Sequence, residues 1–218
     1  MISDITKGQI EDLRFTNRPL VICDVDEVVV HFTRDLETYL DRHGLWLDFA
    51  SFALNGNIRH RQDNAPASDQ RVAELIASFF AERTLHLEPV DGAIEALHHF
   101  AETSDVIMLT NLPHSAGDHR RENLAGMGLT YPVVTNEGPK GPAIAELLSR
   151  AGQPAVFIDD NPQYLSSAYE HAPDIHLIHF MHDDRFGRHL PPVDYVSLRT
   201  HTWDEAKPHI AGLLKGAP

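Results

Sequence analysis

Val21-Ile22-Cys23-Asp24-Val25-Asp26-Glu27-Val28-Val29-Val30 carries two aspartates, one valine apart, where an apolar run ends. A short continuous apolar run is what a strand covered on both faces looks like, as in a parallel sheet. In an extended chain positions i and i+2 share a face, so Asp24 and Asp26 are expected to point the same way. Two like charges that close oppose each other's ionisation, and one pKa is pushed up. Such a pair adds little to stability. It suits a site that needs one ionised nucleophile and one protonated acid.

Working outward, similar runs recur at 20–24, 105–110, 132–135, 155–159 and 175–180, and helical patterns alternate with them at 92–102, 114–126, 142–151 and 162–171. That alternation predicts an α/β chain with a three-layer Rossmann-like core and a mainly parallel sheet. Thr202-Trp203-Asp204-Glu205 reads as a capping box before a last helix bearing Ile210, Leu213 and Leu214.

One interval breaks the rhythm. About eighty residues separate the first two strands, far more than a crossover needs. Part of it is expected to be a small helical cap at 32–87, with the core formed by 1–31 and 88–218. Helix 34–43 is stopped by Gly44, and helix 69–84 carries the apolar stripe Val72, Leu75, Ile76, Phe79 and Phe80. The segments 55–57 and 63–67 read as connections. Such an insert would hang above the carboxyl end of the first strand, where ligands bind in open α/β sheets.

The chain has 218 residues, 42% of them apolar, so it can bury a full core. A net charge of −14 argues against non-specific binding to nucleic acid or an anionic membrane. The single cysteine, Cys23, excludes an intrachain disulfide and a multi-Cys zinc site. Without a signal-peptide pattern or an apolar stretch of spanning length, a soluble, cytoplasmic protein is expected.

Three further signals stand at strand ends. Thr110-Asn111 follows 105–109, Lys140 lies in Gly138-Pro139-Lys140-Gly141-Pro142 ahead of a helix, and Asp159-Asp160 ends 155–158. A parallel sheet gathers such ends on one edge. Four carboxylates and one ammonium leave the site at about −3, hostile to a phosphate dianion, and a divalent hard cation corrects this. Thr110 offers a hydroxyl donor, Asn111 a backbone N–H, and Lys140 a point charge for phosphoryl oxygens.

These four motifs, in this order, resemble those of the haloacid-dehalogenase-like hydrolase superfamily, over roughly residues 20–164. The resemblance implies a phosphatase with Asp24 as nucleophile and Asp26 as the acid that protonates the leaving oxygen and then activates water. It implies that Thr110, Asn111 and Lys140 bind the phosphoryl group. Mg²⁺ would be held by Asp24, the Asp26 carbonyl, Asp159 and Asp160. The substrate would be a small phosphorylated molecule. Asp26 favours phosphoryl transfer, since dehalogenase-like members lack it, and the Ile158-Asp159-Asp160 ending resembles deoxyribonucleotidase-like members. The family usually has Gly where this chain has Glu27; the glutamate either replaces it benignly or repels a second anionic group.

Plainer readings stand beside these. Asp24 and Asp26 also suit a turn, Thr110 and Asn111 a strand end, Lys140 the surface, and Asp159-Asp160-Asn161-Pro162 a helix cap. His176, His179 and His182 do not share a face and make no metal triad, His98 and His99 are expected to be exposed, and His114 could reach the pocket rim. Arg59-His60-Arg61 is read as a solvated turn, with an anion clamp as the functional alternative. A phospho-accepting signalling module and a ligand-binding regulatory protein on the same fold are the competing functions. The sequence leaves the substrate and the oligomeric state open.

Overall fold

A computed structural model describes residues 2–215. Its central sheet contains β1 (Leu20–Cys23), and its elements run from α1 (Asp4–Glu11) through β1 to α2 (Phe32–Arg42), β2 (Leu45–Leu47), β3 (Ile58–His60) and α3 (Asp69–Arg83). There follow α4 (Ala93–Ala101), β4 (Asp105–Thr110), α5 (Gly117–Gly126), β5 (Val133–Thr135), α6 (Gly141–Leu148), β6 (Ala155–Asp159) and α7 (Pro162–His171). The chain closes with β7 (His176–Phe180), α8 (Asp184–Gly187), β8 (Leu198–Thr200) and α9 (Trp203–Leu214). Six strands form one sheet in the order β5-β4-β1-β6-β7-β8, and all its pairings are parallel. This is the α/β, three-layer, Rossmann-like architecture expected from the alternation of runs.

The layers follow from period-two alternation in strands buried on both faces. Val21 and Cys23 of β1, Val106 and Met108 of β4 and Ile158 of β6 face a core shared with α4, α5 and α9. Leu20 and Ile22, Ile107 and Leu109, and Phe157 face the other core, against α1, α6 and α7. Helices α6 and α7 meet closely: a Cβ on Gly141 would lie 2.1 Å from the Ser167 carbonyl oxygen. Only glycine fits there. That contact sets the start of α6 and therefore the position of Lys140.

Between β1 and β4 the insert is not purely helical. Beside α2 and α3 it contains an antiparallel hairpin, β2–β3, in which Leu45 faces His60 and Leu47 faces Ile58. Three-residue strands are too short to show alternation, so the sequence pattern passed over them, as it did β8 and α1. Gly44 stops α2 at a left-handed φ of 69°. The expected stripe on α3 is inside at Val72, Leu75, Phe79 and Phe80, with Phe79 edge-on to Phe32 and Tyr39. The capping box before α9 forms by half: Thr202 Oγ1 accepts from the Glu205 N–H, while the Glu205 carboxylate turns to Thr200 Oγ1 at 2.6 Å.

Candidate active site

β1 stops at Cys23, so Asp24 and Asp26 sit in the turn beyond it and not on one strand face. Three amides, those of Val28, Val29 and Val30, point at the Val25 carbonyl, and the Glu27 N–H donates to the Val30 carbonyl at 2.8 Å. This turn needs a left-handed residue at 27, and Glu27 has φ 62°. Buried Trp203 braces it from below, its indole N–H donating to the Val28 carbonyl at 2.9 Å.

Parallel register brings the other motifs to the same edge. Lys140 is fully buried, with Nζ 2.7 Å from both Asp24 Oδ1 and Asp159 Oδ2 and 4.9 Å from the Tyr164 ring centre. Burial by itself would lower the lysine's pKa, but the two carboxylates outweigh it and hold the ammonium charged. Burial pushes Asp159 up to about 7 against the pull of Lys140. Burial and the nearby Asp159, Asp24 and Glu27 charges raise Asp160 well above the carboxylate range. Carboxylate oxygens of Asp24, Asp159 and Asp160 lie within 4.8 Å of one another. A set of hard oxygen donors with excess negative charge fits Mg²⁺.

Thr110 is fully buried and its hydroxyl has no hydrogen-bond partner. Such a donor calls for an acceptor, since leaving it unmade is costly, and a phosphoryl oxygen is one. Asn111 lines the cavity, its side-chain Nδ2 donating to the Gly138 carbonyl at 2.8 Å and to Tyr164 Oη at 2.9 Å.

Asp26 has a partner that sequence reasoning missed. Arg120 on α5, wholly buried, places Nη2 2.5 Å from Asp26 Oδ1. Burial is the main influence raising the Asp26 pKa, Arg120 opposes it, and the Asp24 charge is a lesser contribution. The like-charge clash expected of the pair is thus relieved by giving each acid its own cation. With Arg120 counted, four carboxylates face two cations, and one divalent ion neutralises the site. The overlooked signal was periodicity: Gly117, Arg120, Asn123 and Leu124 are buried at spacings of three and four, on the inner face of α5.

Glu27 is the other surprise. Its Oε1 accepts from the Thr33 N–H at the start of α2, where the preceding residue His31 offers no side-chain cap. The departure from glycine therefore supplies a helix cap at the root of the insert. Burial pushes its carboxyl up to about 7 despite the Thr33 bond.

Other expectations shift or hold. Arg59 pairs with Asp48 at 3.0 Å and Arg61 with Asp41 at 2.8 Å, and neither lines the cavity. The anion-clamp reading is overturned by these local acids. His114 does not reach the rim; its ring bonds Thr135 Oγ1 at 2.6 Å and Ser3 Oγ at 3.2 Å. His98 and His99 are exposed, as expected. The only His, Cys, Asp and Glu group with metal-binding spacing among the described residues is the Asp24, Asp159, Asp160 set.

The fold has clear likenesses. A protein assigned as a HAD-hydrolase from Bacillus subtilis, bound to magnesium, matches with TM-score 0.60 and 11% identity, over 88% of this chain and 97% of that one. A HAD family hydrolase from Deinococcus radiodurans R1 with bound phosphate and sodium gives TM-score 0.57 and 15% identity, over 92% and 99%. A protein assigned as a phosphoglycolate phosphatase from Lactobacillus plantarum gives 0.58 and 13%, over 89% and 100%. No family model matches the sequence, and no curated protein matches it significantly. The chain has the haloacid-dehalogenase-like hydrolase fold. No helix among the described residues is long and apolar enough to cross a membrane.

Proposed function

We propose that the chain is a Mg²⁺-dependent phosphatase that hydrolyses a small phosphomonoester through an aspartyl-phosphate on Asp24. One observation carries this reading: Asp24, Lys140, Asp159 and Asp160 converge at the sheet edge where β4 ends in Thr110, whose buried hydroxyl has no protein partner. Asp24 Oδ would attack phosphorus while the bond to the leaving oxygen breaks, and Asp26 would give that oxygen its proton. In the second half, Asp26 would take a proton from water as the water oxygen attacks phosphorus and frees Asp24. Thr110 and Asn111 would hold phosphoryl oxygens, and Lys140 would neutralise charge between them and Asp24. Asp24, Asp159, Asp160 and the Asp26 carbonyl would hold Mg²⁺, which supplies charge neutralisation at the phosphoryl oxygens. Division into a core at 1–31 and 88–218 and a cap at 32–87 belongs to the same proposal.

The test is phosphate release from a phosphomonoester panel with Mg²⁺ present. EDTA is expected to abolish it, and Asp24→Asn to eliminate it. Activity without metal that survives Asp24→Asn overturns the mechanism. Stable labelling by acetyl phosphate without turnover would point instead to a phospho-accepting module.

A further inference from the structure

Above Asp24 lies a cavity of about 340 Å³ with a polar floor, one broad apolar wall, and the uncharged polar side chains of Thr33, Asn161, Gln163 and Tyr164 at its other margins. The floor is Asp24, Asp26, Asp160 and Asn111. The apolar wall is formed by Phe32, Phe52, Leu54, Ile76, Phe80 and Phe186, drawn from α2, the β2–β3 loop, α3 and α8. No lysine or arginine is among the lining residues.

Basic residues do occur nearby, but they are engaged elsewhere: Arg188 donates to the Phe49 carbonyl at 3.3 Å, and three others pair with acids. Arg83 pairs with Asp35 at 2.8 Å and Arg34 with Glu88 at 2.6 Å, while Arg185 is shared by Glu37 and Asp183 at 2.8 and 2.7 Å. The wall therefore offers no cation to a second anionic group on the substrate. Glu27, the remaining carboxylate in the lining beside the floor acids, would repel one. A cationic substituent fares no better. Asp24 and Asp26 already face Lys140 and Arg120, the remaining charge of the floor would be met by the proposed Mg²⁺, and Glu27 is committed to the Thr33 amide.

We infer that the substrate is a phosphomonoester whose leaving group is uncharged and apolar, an aromatic ring or a short alkyl chain. The inference rests on the hydrolase reading above and adds the class of leaving group. Size agrees. A dry cavity of about 150 Å³ holds benzene, so the space here takes a phosphoryl group on the floor and a ring or chain of about six carbons against the walls. Apolar walls discriminate by the methylene: each one buried is expected to raise kcat/KM about fourfold.

The experiment uses the full chain with Mg²⁺ and measures kcat/KM for ethyl, butyl, hexyl and phenyl phosphate. The comparison set is phosphoglycolate, a sugar bisphosphate and phosphoethanolamine. The expected order is a rise with alkyl length, phenyl phosphate near the top, and the three charged esters at least tenfold below hexyl phosphate. Ile76→Lys, at a half-buried wall position, is expected to lower hexyl phosphate turnover and raise that of phosphoglycolate. Phosphate release with a flat alkyl series, or with any charged ester on top, overturns the leaving-group assignment and leaves the hydrolase reading standing. No release from any ester overturns both.

Discussion

Glu27 joins three physical effects that substitution can separate. It is 7% exposed, it holds a left-handed φ of 62°, and its carboxylate caps α2 through the Thr33 N–H. Alanine and glycine both remove the carboxylate and the cap, so a comparison of Glu27→Ala with Glu27→Gly isolates the backbone. A Cβ at left-handed φ costs about 1 kcal/mol, so the glycine variant should be the more stable by that amount at every pH. For a chain of this size that is about 2–4 °C in Tm. Glu27→Gln keeps an oxygen acceptor for Thr33 and removes the charge. The wild-type carboxyl titrates at about 7 in the folded state against an ordinary 4.5. Between those values the folded chain holds a proton that the unfolded chain has released. Stability contributed by this group is therefore complete below pH 4.5 and lost as pH rises through 7. The loss is roughly 3 kcal/mol. Urea unfolding in EDTA, from pH 4.5 to 8, should show wild type falling relative to Glu27→Gln by that amount. Parallel curves for the two proteins would refute the burial of the charge. An alanine variant as stable as the glycine variant would refute the strained turn.

Arg120→Met should cost about 3 kcal/mol, because it leaves Asp26 largely buried without its cation. Adding Asp26→Asn should recover most of that in urea unfolding, and a single-variant loss under about 1 kcal/mol would contradict the pairing. Gly141→Ala drives a Cβ to 2.1 Å from the Ser167 carbonyl oxygen; about 3 kcal/mol of destabilisation is expected, with loss of phosphatase activity through displaced Lys140, and a wild-type Tm would show that α6 can move. His179 is fully buried, and burial, helped by Arg199, lowers its pKa to about 4 from 6.5. The unfolded chain takes up a proton that the folded chain refuses, so stability should fall by roughly 3 kcal/mol as pH drops from 6.5 to 4. His179→Gln should flatten that slope in denaturant titrations, and an unchanged slope would assign it to other groups.

Much of the site could be read from one dimension because strand ends carry their own signature. β4 and β6 begin and end where their apolar runs predict, at Asp105–Thr110 and Ala155–Asp159. A strand buried on both faces can remain apolar only until it leaves the sheet. The first polar residues therefore mark the edge, and parallel pairing brings the marked edges together. The insert was less legible. Its hairpin strands, Leu45–Leu47 and Ile58–His60, have three residues each. Which of its apolar side chains pack inward, like Phe79, and which face the cavity, like Ile76, is a matter of rotation that one stripe cannot specify.

By itself the sequence determined the α/β class, the parallel strands and the order in which Asp24, Thr110, Lys140 and Asp159 arrive at one edge. Only the tertiary structure decided what stands next to each. Nothing in the sequence joins Arg120 to Asp26 until α5 packs against the sheet, where burial forces its charge onto that acid. Glu27 reads as a departure from glycine until the turn closes and its carboxylate finds the open amide of α2. The physical reason is the same in both cases. Local pattern reports which groups leave water, and burial then obliges each charge or donor to find a partner distant in the chain or across a turn.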